Sequence, residues 1–204
     1  MNKSLVIIGA GGHGKVAADI ALNMGFKKIF FLDDNTQTGD CSGLPIVGKT
    51  DLFEKYSKCD FFVAIGNPEI RQKISDNLKN RKCNIVTLMH PNAVISRRVK
   101  IGIGTVVMAG VIINSDTVIG EGCIINTSSS VDHDCIVEDY SHISVGAHLA
   151  GNVRIGQRTW VGAGATVSNN IQICSDCMVG AGAVVVNNIN ERGTYIEVPA
   201  KMKK

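Results

Sequence analysis

Two kinds of hydrophobic pattern divide the chain near residue 91. Before it, short continuous apolar runs alternate with stretches in which apolar residues recur every three or four positions. The runs predict buried strands and the periodic stretches predict helices. Alternation of this kind indicates a small parallel sheet, about half of a doubly wound nucleotide-binding fold. The predicted strands cover 3–9, 28–32, 60–66 and 84–88, and the predicted helices cover 12–24 and 68–79.

From Ala93 to Asn188 the pattern changes to a repeat of six residues. The third position of every hexad is aliphatic, from Ile95 to Val185, and the first position is small or β-branched. A period of six matches neither the 3.6-residue period of a helix nor the two-residue period of a strand. It predicts short strands, each followed by a turn, that wind into a triangular prism. Three hexads make one coil, which gives about five coils stacked roughly 4.8 Å apart.

Composition changes at the same place. All six Phe precede residue 63, and beyond Pro91 the only aromatic residues are Tyr140, Trp160 and Tyr195. A narrow prism accepts one aliphatic and one small residue per side, which accounts for the scarcity of large rings. We therefore predict two domains, a Rossmann-like nucleotide-binding domain at 1–90 and a repeat domain at 91–204.

Charge and cysteine content exclude several classes of partner. A formal net charge of +3 without clustered Lys or Arg does not indicate a nucleic acid or a membrane surface. No apolar run approaches the ~20 residues of a membrane-spanning helix, so no membrane insertion is predicted. Seven cysteines, an odd number without a secretion signal, predict reduced thiols in the cytoplasm. Cys174 and Cys177 are spaced like a zinc half-site, but no second pair lies near, so no metal is predicted.

Residues 9–14 read GAGGHG and match the G-x-G-x-x-G pattern of nucleotide-binding folds. The run follows a predicted strand and begins a predicted helix, whose first N–H groups would face a phosphate. Gly11, Gly12 and His13 are therefore candidate ligand contacts. Only half of a dinucleotide-binding fold precedes the repeats, which favours a mononucleotide-type ligand over NAD. A tight glycine turn without any ligand is the other interpretation.

Acidic residues end the second predicted strand. Asp33 and Asp34 lie at a carboxyl end, the edge where α/β sheets bind ligands, and their oxygens can accept from a ribose hydroxyl or a base N–H. Gly66 ends the third predicted strand at the same edge. A pair of acidic turn residues without a ligand is the alternative interpretation.

His133 is the strongest candidate for a catalytic residue. It takes the fifth position of the hexad 129–134, a turn position that points away from the prism. An imidazole beside Asp132 and Asp134 titrates near neutral pH and suits a general base for an amine or hydroxyl nucleophile. Either carboxylate could accept from the other ring nitrogen. An exposed surface histidine is the alternative, and the outward-facing His142 and His148 are not distinguished by their positions.

The hexads over 93–188 resemble the left-handed parallel β-helix of hexapeptide-repeat acyltransferases, which are typically trimers with sites between prisms. A longer set of residues resembles more closely the acetyltransferases that modify UDP-4-amino-sugars in bacterial glycan pathways. The set includes the glycine loop, Asp33 and Asp34, and the segments 126–129, 133–134, 140–144, 150–153 and 198–201. The resemblance thus spans residues 3–201.

This resemblance implies an α/β N-terminal half-Rossmann domain followed by a left-handed parallel β-helix. It implies a cytoplasmic homotrimer with intersubunit active sites that transfers acetyl from acetyl-CoA to the amine of a UDP-amino-sugar. His133 would be the base and Asp134 its partner, where close relatives often have Glu. His142 would contact acetyl-CoA, and Gly151, Ala163 and Ala181 would line the pantetheine channel.

Two other functions stay open at this point. The first keeps the fold and the base but uses an alcohol acceptor, as a sialic-acid or other sugar O-acetyltransferase does. The second is a non-catalytic nucleotide-sugar-binding scaffold. A scaffold of that kind would bind uridine nucleotides without turning over acetyl-CoA.

Overall fold

The computed structural model describes residues 4–35 and 39–203, which form two compact units that divide after residue 91. The first unit is an α/β layer structure. The elements are β1 Ser4–Ile8, α1 Gly12–Asn23, β2 Lys28–Leu32, β3 Gly39–Cys41, β4 Leu44–Ile46, a 3-10 helix Thr50–Tyr56, β5 Asp60–Val63, α2 Pro68–Asn80, β6 Asn84–Ile85 and β7 Leu88–Met89. The central strand β1 is apolar and buried over Leu5–Ile8, and it pairs in parallel with β2 on one side and β5 on the other. The strand order is β3-β4-β2-β1-β5-β6.

The structure differs from the sequence expectation at several places in this unit. The 3-10 helix Thr50–Tyr56 was not predicted, and the strand predicted over 60–66 ends at Val63, so Gly66 lies in the loop that follows it. The predicted strand 84–88 is split into β6 and β7, with Val86 and Thr87 between them. The hairpin of β3 and β4, which pair antiparallel to each other, was not predicted. Strands of two or three residues leave too little alternation for a period to show.

Both helices of this unit are explained by their sequence. Helix α1 places Ala17, Ile20 and Ala21 on its buried face. Helix α2 begins after Asn67, whose Oδ1 accepts the N–H of Ile70, and Pro68 occupies the first turn, where its missing N–H costs nothing. The core between α2 and the sheet is formed by aliphatic and phenyl side chains that include Val6, Leu32, Phe61 and Leu78.

Over residues 94–185 the second unit is built from two-residue strands at the second and third hexad positions. Strands eighteen residues apart pair in parallel, as Ile113 pairs with Val131 and Val131 with Leu149. The strands are β8 Val94–Ile95, β9 Lys100–Ile101, β10 Val106–Val107, β11 Ile112–Ile113, β12 Val118–Ile119, β13 Ile124–Ile125, β14 Ser130–Val131, β15 Ile136–Val137, β16 His142–Ile143, β17 His148–Leu149, β18 Arg154–Ile155, β19 Trp160–Val161, β20 Thr166–Val167, β21 Gln172–Ile173, β22 Met178–Val179, β23 Val184–Val185, β24 Thr194–Ile196 and β25 Lys201–Met202.

These strands form three sheets, the three sides of the prism. Sheet I contains β8, β11, β14, β17, β20 and β23, and sheet II contains β9, β12, β15, β18 and β21. Sheet III contains β10, β13, β16, β19, β22 and β24, with β25 antiparallel at its end. We call the turns that follow sheet I strands corner 1 and those that follow sheet III strands corner 3.

Polar residues at the first hexad position are buried inside the prism, and most of their hydroxyls donate to a carbonyl of the next coil. Thr105 Oγ1 donates to the carbonyl of Gly120 at 2.8 Å, and Thr117 Oγ1 donates to that of Asp132. The thiol of Cys135 does the same with Ala150 at 3.2 Å, and burial raises the pKa of that thiol. An unpaired buried hydroxyl would be costly, so these contacts allow Thr, Ser and Cys at interior positions.

Candidate active site

His133 lies at corner 1, in the turn between β14 and β15, with an exposed side chain. Its Nδ1 is 2.8 Å from Oδ2 of Asp134. The carboxylate accepts the Nδ1 proton, which fixes the tautomer and leaves Nε2 as the basic nitrogen. The structure thus brings together the two residues predicted as base and partner.

The charges beside the imidazole favour its protonated form. The hydrogen bond to Asp134 and then the charge of Asp132 raise the pKa of His133 above its usual value of 6.5. Asp132 itself is held by Asn114 Nδ2 and by the N–H of His133, both at 2.8 Å to Oδ1, and these bonds lower its pKa. Asp132 therefore acts on the ring through its charge, whereas Asp134 holds the ring directly.

Asp134 also suits the backbone of this turn. Its φ is 58°, in the left-handed region, where Asp and Asn are enriched among non-glycine residues. The same conformation recurs one coil earlier at Asp116 and one coil later at Asn152. A short carboxylate at this position reaches the preceding imidazole without leaving the turn.

His142 lies on sheet III in a different environment from His133. The ring is buried and stacks on Trp160, with centroids 4.5 Å apart and planes inclined by 34°. Asn126 Oδ1 accepts the N–H of Thr127, so its amide nitrogen faces Nε2 of His142 at 3.1 Å. Nε2 is therefore an acceptor, which places the proton of the neutral ring on Nδ1.

Trp160 is a site residue that the sequence analysis missed. Its Nε1–H donates to Ser144 Oγ at 2.6 Å, and its ring covers His142. The signal was present in the sequence, because Trp160 follows His142 by eighteen residues and shares its hexad position. The bond to Ser144 holds the Trp160 ring in place, and this ring together with the bond from Asn126 fixes the orientation of His142.

The structure separates His148 from His142, which the sequence did not. His148 is exposed on sheet I, and its Nδ1 lies 2.9 Å from Ser130 Oγ. It has no stacking partner comparable to Trp160 among the ring contacts of the described residues. His148 is therefore a surface residue.

The three small residues predicted to line the pantetheine channel fall on two corners. Gly151 is buried at corner 1, where it lies against the ring of His133. Ala163 and Ala181 are exposed at corner 3, on successive coils, with the N–H of Gly182 bonded to the carbonyl of Ala163 at 2.9 Å. Within one chain, therefore, the predicted acetyl-CoA contacts do not form one continuous surface.

In the first unit, the glycine loop follows β1. Gly9 and Gly14 are needed structurally, since a Cβ on Gly14 would lie 2.1 Å from the carbonyl oxygen of Gly9. Gly11 and Gly12 are exposed, and a Cβ on either would meet no atom within 4 Å. The two predicted ligand contacts are thus the two glycines with open space beside them.

His13 is at the start of α1, with its ring edge-on to Phe62 at 6.3 Å. Burial, and then the charge of Arg71, lower the pKa of His13 to about 4. The ring is therefore neutral at physiological pH. Its Nε2 is buried and has no hydrogen-bond partner within the described part of the chain, so it can bond to a ligand that enters the loop.

Asp33 and Asp34 have different contacts. Asp33 Oδ2 accepts the N–H of Ala10 in the glycine loop at 2.7 Å, and its Oδ1 accepts that of Asn35. Asp34 is exposed, and its Oδ1 accepts the N–H of Thr50 at 2.9 Å. Asp33 is thus tied to the loop, and Asp34 is the more accessible of the two carboxylates.

Gly66 belongs to the same edge of the sheet and depends on an arginine that the sequence analysis did not find. Arg71 is 1% exposed, and its Nη1 donates to the carbonyls of Ile65 and Gly66, both at 2.8 Å. A charged residue in the first turns of a helix usually faces solvent, so no sequence signal indicated its burial. Arg71 fixes the loop that precedes α2.

Cys174 and Cys177 have sulfur atoms 3.3 Å apart without a disulfide. Burial and the neighbouring Cys174 raise the pKa of Cys177 to about 12, so it remains a thiol. Over residues 4–35 and 39–203, no group of three His, Cys, Asp or Glu side chains is arranged to hold a metal ion. In the same ranges, no helix has the length and apolar character needed to cross a bilayer.

Comparison with known proteins identifies both units. The family model of the PglD N-terminal domain matches residues 4–78, and that of the bacterial transferase hexapeptide (six repeats) matches 152–187. The GDP-perosamine N-acetyltransferase of Escherichia coli O157:H7 is 31% identical over 165 residues, 76% of this chain and 74% of that protein.

Two further relatives agree. The UDP-N-acetylbacillosamine N-acetyltransferase of Bacillus subtilis is 37% identical over 112 residues, and the match covers 52% of each chain, about half of that relative's length. Among solved structures, the acetyltransferase domain of PglB from Neisseria gonorrhoeae FA1090, in complex with acetyl coenzyme A, is 41% identical over 100% of both chains, with a TM-score of 0.96.

These matches confirm the predicted fold class, an α/β N-terminal region followed by a left-handed parallel β-helix. They extend over nearly the whole chain and agree on one class of enzyme. The chain belongs to the hexapeptide-repeat acetyltransferases, in the family of nucleotide amino-sugar N-acetyltransferases that its motifs resemble.

Proposed function

We propose that this protein transfers the acetyl group of acetyl-CoA directly to the amine of a UDP-4-amino-sugar, with His133 as general base. The observation that carries the proposal is the pair formed by His133 and Asp134, whose 2.8 Å bond leaves Nε2 as the basic nitrogen of an exposed side chain. The names of the relatives support the class of reaction and include both UDP and GDP sugars.

The reaction follows from this geometry. The sugar amine attacks the thioester carbonyl, and Nε2 of His133 removes the proton that the nitrogen gives up as the C–N bond forms. The tetrahedral intermediate then expels the CoA thiolate, which takes a proton from the imidazolium. Asp134 keeps the Nδ1 proton in place throughout and stabilises the cationic ring. No acyl-enzyme is formed.

The remaining predicted contacts have separate roles in this proposal. In the first unit, Gly11, Gly12, His13, Asp33, Asp34 and Gly66 are proposed to bind the nucleotide. The open space beside Gly11 and Gly12 and the buried Nε2 of His13 support that assignment. In the second unit, His142, Gly151, Ala163 and Ala181 are proposed to bind acetyl-CoA.

A cytoplasmic homotrimer is part of the same proposal. Gly151 lies at corner 1, whereas Ala163 and Ala181 lie at corner 3, so one chain does not present them as one channel. A neighbouring copy that brings its corner 3 to corner 1 would complete the channel. Light scattering should give about three times the 21.7 kDa chain mass, and a monomeric mass would contradict the intersubunit site.

Turnover with a panel of acceptors tests the function. Thiol release from acetyl-CoA is measured with UDP-4-amino-sugars, GDP-perosamine, UDP-GlcNAc and free sialic acid. We expect turnover with a UDP-4-amino-sugar and a fall in kcat of roughly 10²–10⁴-fold in His133→Ala, as for loss of a general base. His148→Ala, which removes another exposed imidazole of the β-helix, is the matched control and should retain wild-type kcat.

Each other result has a definite meaning. Turnover only with sialic acid would establish the O-acetyltransferase alternative. Turnover only with GDP-perosamine would show that the acceptor carries GDP and not UDP. Tight binding of UDP-sugars without thiol release would support the scaffold. Near-normal kcat in His133→Ala would overturn the assignment of the base.

A further inference from the structure

The turns of corner 1 stack directly on one another. Ser115, His133 and Gly151 take the same hexad position in three successive coils. Backbone hydrogen bonds fix this stacking, because the N–H of Asp134 donates to the carbonyl of Ser115 at 3.0 Å and that of Asn152 to the carbonyl of His133 at 2.9 Å. The side chain of His133 therefore has the backbone of Gly151 as its neighbour on the next coil.

The imidazole of His133 occupies the space that a side chain at Gly151 would need. A Cβ on Gly151 would lie 2.6 Å from Nε2, 2.7 Å from Cε1 and 3.3 Å from Cδ2. Real Cβ contacts are longer than 3.0 Å, so the ring and a Cβ cannot share this space. The Nε2–Cε1 edge of the ring thus lies against Gly151, in the space that a Cβ would fill.

The backbone at Gly151 does not itself require glycine. Among the described residues, eleven other glycines have positive φ, including Gly146 and Gly164 in the same unit, but the φ of Gly151 lies outside the left-handed region. Alanine is therefore compatible with the chain conformation at this position. Alanine is incompatible only with the observed position of the His133 ring.

We propose that Gly151 is a positioning residue, whose missing side chain provides the surface that holds the His133 imidazole in its bond with Asp134. The rate effect of this role rests on the proposed function, whereas the geometric role does not. Because Gly151→Ala keeps the backbone N–H, it removes this surface without removing a backbone donor to acetyl-CoA or to an oxyanion. The substitution therefore separates positioning from the ligand contact suggested by the family resemblance.

Few titratable groups act on this ring. Asp132 and Asp134 flank it on its own turn. The preceding turn contains Asp116, which is bonded to Arg98 at 2.6 Å, and the following turn contains Gly151 and Asn152, which do not titrate. A displaced ring would lose the Asp134 contact, the largest cause of its raised pKa, while Asp132 stays in place.

Steady-state kinetics in two backgrounds form the first test. We expect Gly151→Ala to lower kcat by roughly 10–100-fold, the effect of a displaced catalytic group, with KM for acetyl-CoA changed by less than about twofold. In the His133→Ala background the same substitution should cause no further loss. An equal loss in both backgrounds, a rise in KM alone or an unchanged kcat would overturn the proposal.

Proton NMR titration of the histidines is the second test, and it needs no turnover. The His133 signals, identified by their disappearance in His133→Ala, should titrate above pH 6.5 in the wild type and closer to 6.5 in Gly151→Ala. The His148 signals serve as the internal control and should not move. An unchanged His133 titration would contradict the proposal even if the enzyme is active, whereas an inactive wild type with the expected shift would contradict only the proposed function.

Thermal unfolding shows whether Gly151→Ala lowers the stability of the fold. The exposed His133 ring can turn into solvent, so Gly151→Ala should fold. If Gly151→Ala unfolds at a lower temperature than the wild type, adding His133→Ala should restore the midpoint of thermal unfolding, because the nearest atoms to a Cβ at residue 151 all belong to the His133 ring. A midpoint that stays low in the double variant would place the requirement for glycine elsewhere and overturn the proposal.

Discussion

The corner that carries His133 and the sheet face that carries His142 use the same hexad repeat for opposite purposes. At corner 1 the imidazole is exposed, bonded to one carboxylate and flanked by another, so its charge is variable. On sheet III the imidazole is buried between Asn126 and Trp160, with Nε2 already used as an acceptor. A turn position thus provides the titratable group that we propose as the base, whereas a strand position provides a fixed polar surface.

Removing the Asp134 carboxylate at corner 1 tests the region where we expect the larger effect on catalysis. In Asp134→Asn the main cause of the raised His133 pKa is lost, so the acid limb of the kcat/KM profile should move to lower pH. The sign follows because the base acts when deprotonated, and a lower pKa leaves it deprotonated in more acidic solution. We expect kcat above the limb to fall by roughly tenfold, since a weaker and less constrained base transfers a proton more slowly.

The matched control for this prediction is Asp116→Asn. Asp116 has the same hexad position one coil earlier and a φ of 63°, but its partner is Arg98. Its pH profile should match that of the wild type. A limb that moves equally in both variants would mean that net charge, and not the bond to His133, sets the pKa.

Disrupting the stack on sheet III should have a smaller effect of a different kind. Trp160→Leu removes both the ring that covers His142 and the N–H that donates to Ser144. His142 is a proposed acetyl-CoA contact, and a ring released from the stack must be ordered again on binding, at a cost of up to the ~0.5–1.5 kcal/mol that a stacked pair contributes. Acetyl-CoA affinity measured by calorimetry should therefore fall by at most roughly tenfold. The acid limb of the pH profile should not move, because His133 keeps its partners.

Trp160→Phe provides the conservative control for the stack. It keeps an aromatic ring over His142 and loses only the N–H bond, so its affinity should lie between those of the wild type and Trp160→Leu. Loss of kcat without loss of affinity in Trp160→Leu would show that the sheet face takes part in the chemistry, and would remove the distinction between the two regions.

The sequence predicted the strands of the β-helix and the residues of corner 1, but it did not predict the ring contacts in either region. Every strand from β8 to β23 falls on predicted hexad positions, because an aliphatic residue at each third position has only the prism interior to fill. His133 and Asp134 were found because acidic neighbours and a turn position are visible in the sequence. The contacts of Gly151 with His133 and of Trp160 with His142 follow from the eighteen-residue coil, yet they depend on where rings point, which the pattern does not specify.

The first unit shows where sequence patterns stop being informative. The long strands β1 and β2 were predicted because they are continuous apolar runs. The hairpin of β3 and β4 was missed because three-residue strands with Gly and Pro leave no periodic signal. Burial of Arg71 was missed because it results from bonds to the carbonyls of Ile65 and Gly66, and the hydrophobic pattern does not specify that the side chain turns back to this loop.

The stacked turns of corner 1 make the spacing between coils a constraint on how this chain can change in length. A gain or loss of one whole coil between distant turns leaves every later residue on its own side of the prism. A change of a single hexad between His133 and Gly151 would move Gly151 to another corner and leave a different residue beneath the ring. Length changes that preserve the contact between His133 and Gly151 therefore come in units of a complete coil, or are confined to loops that bulge outward.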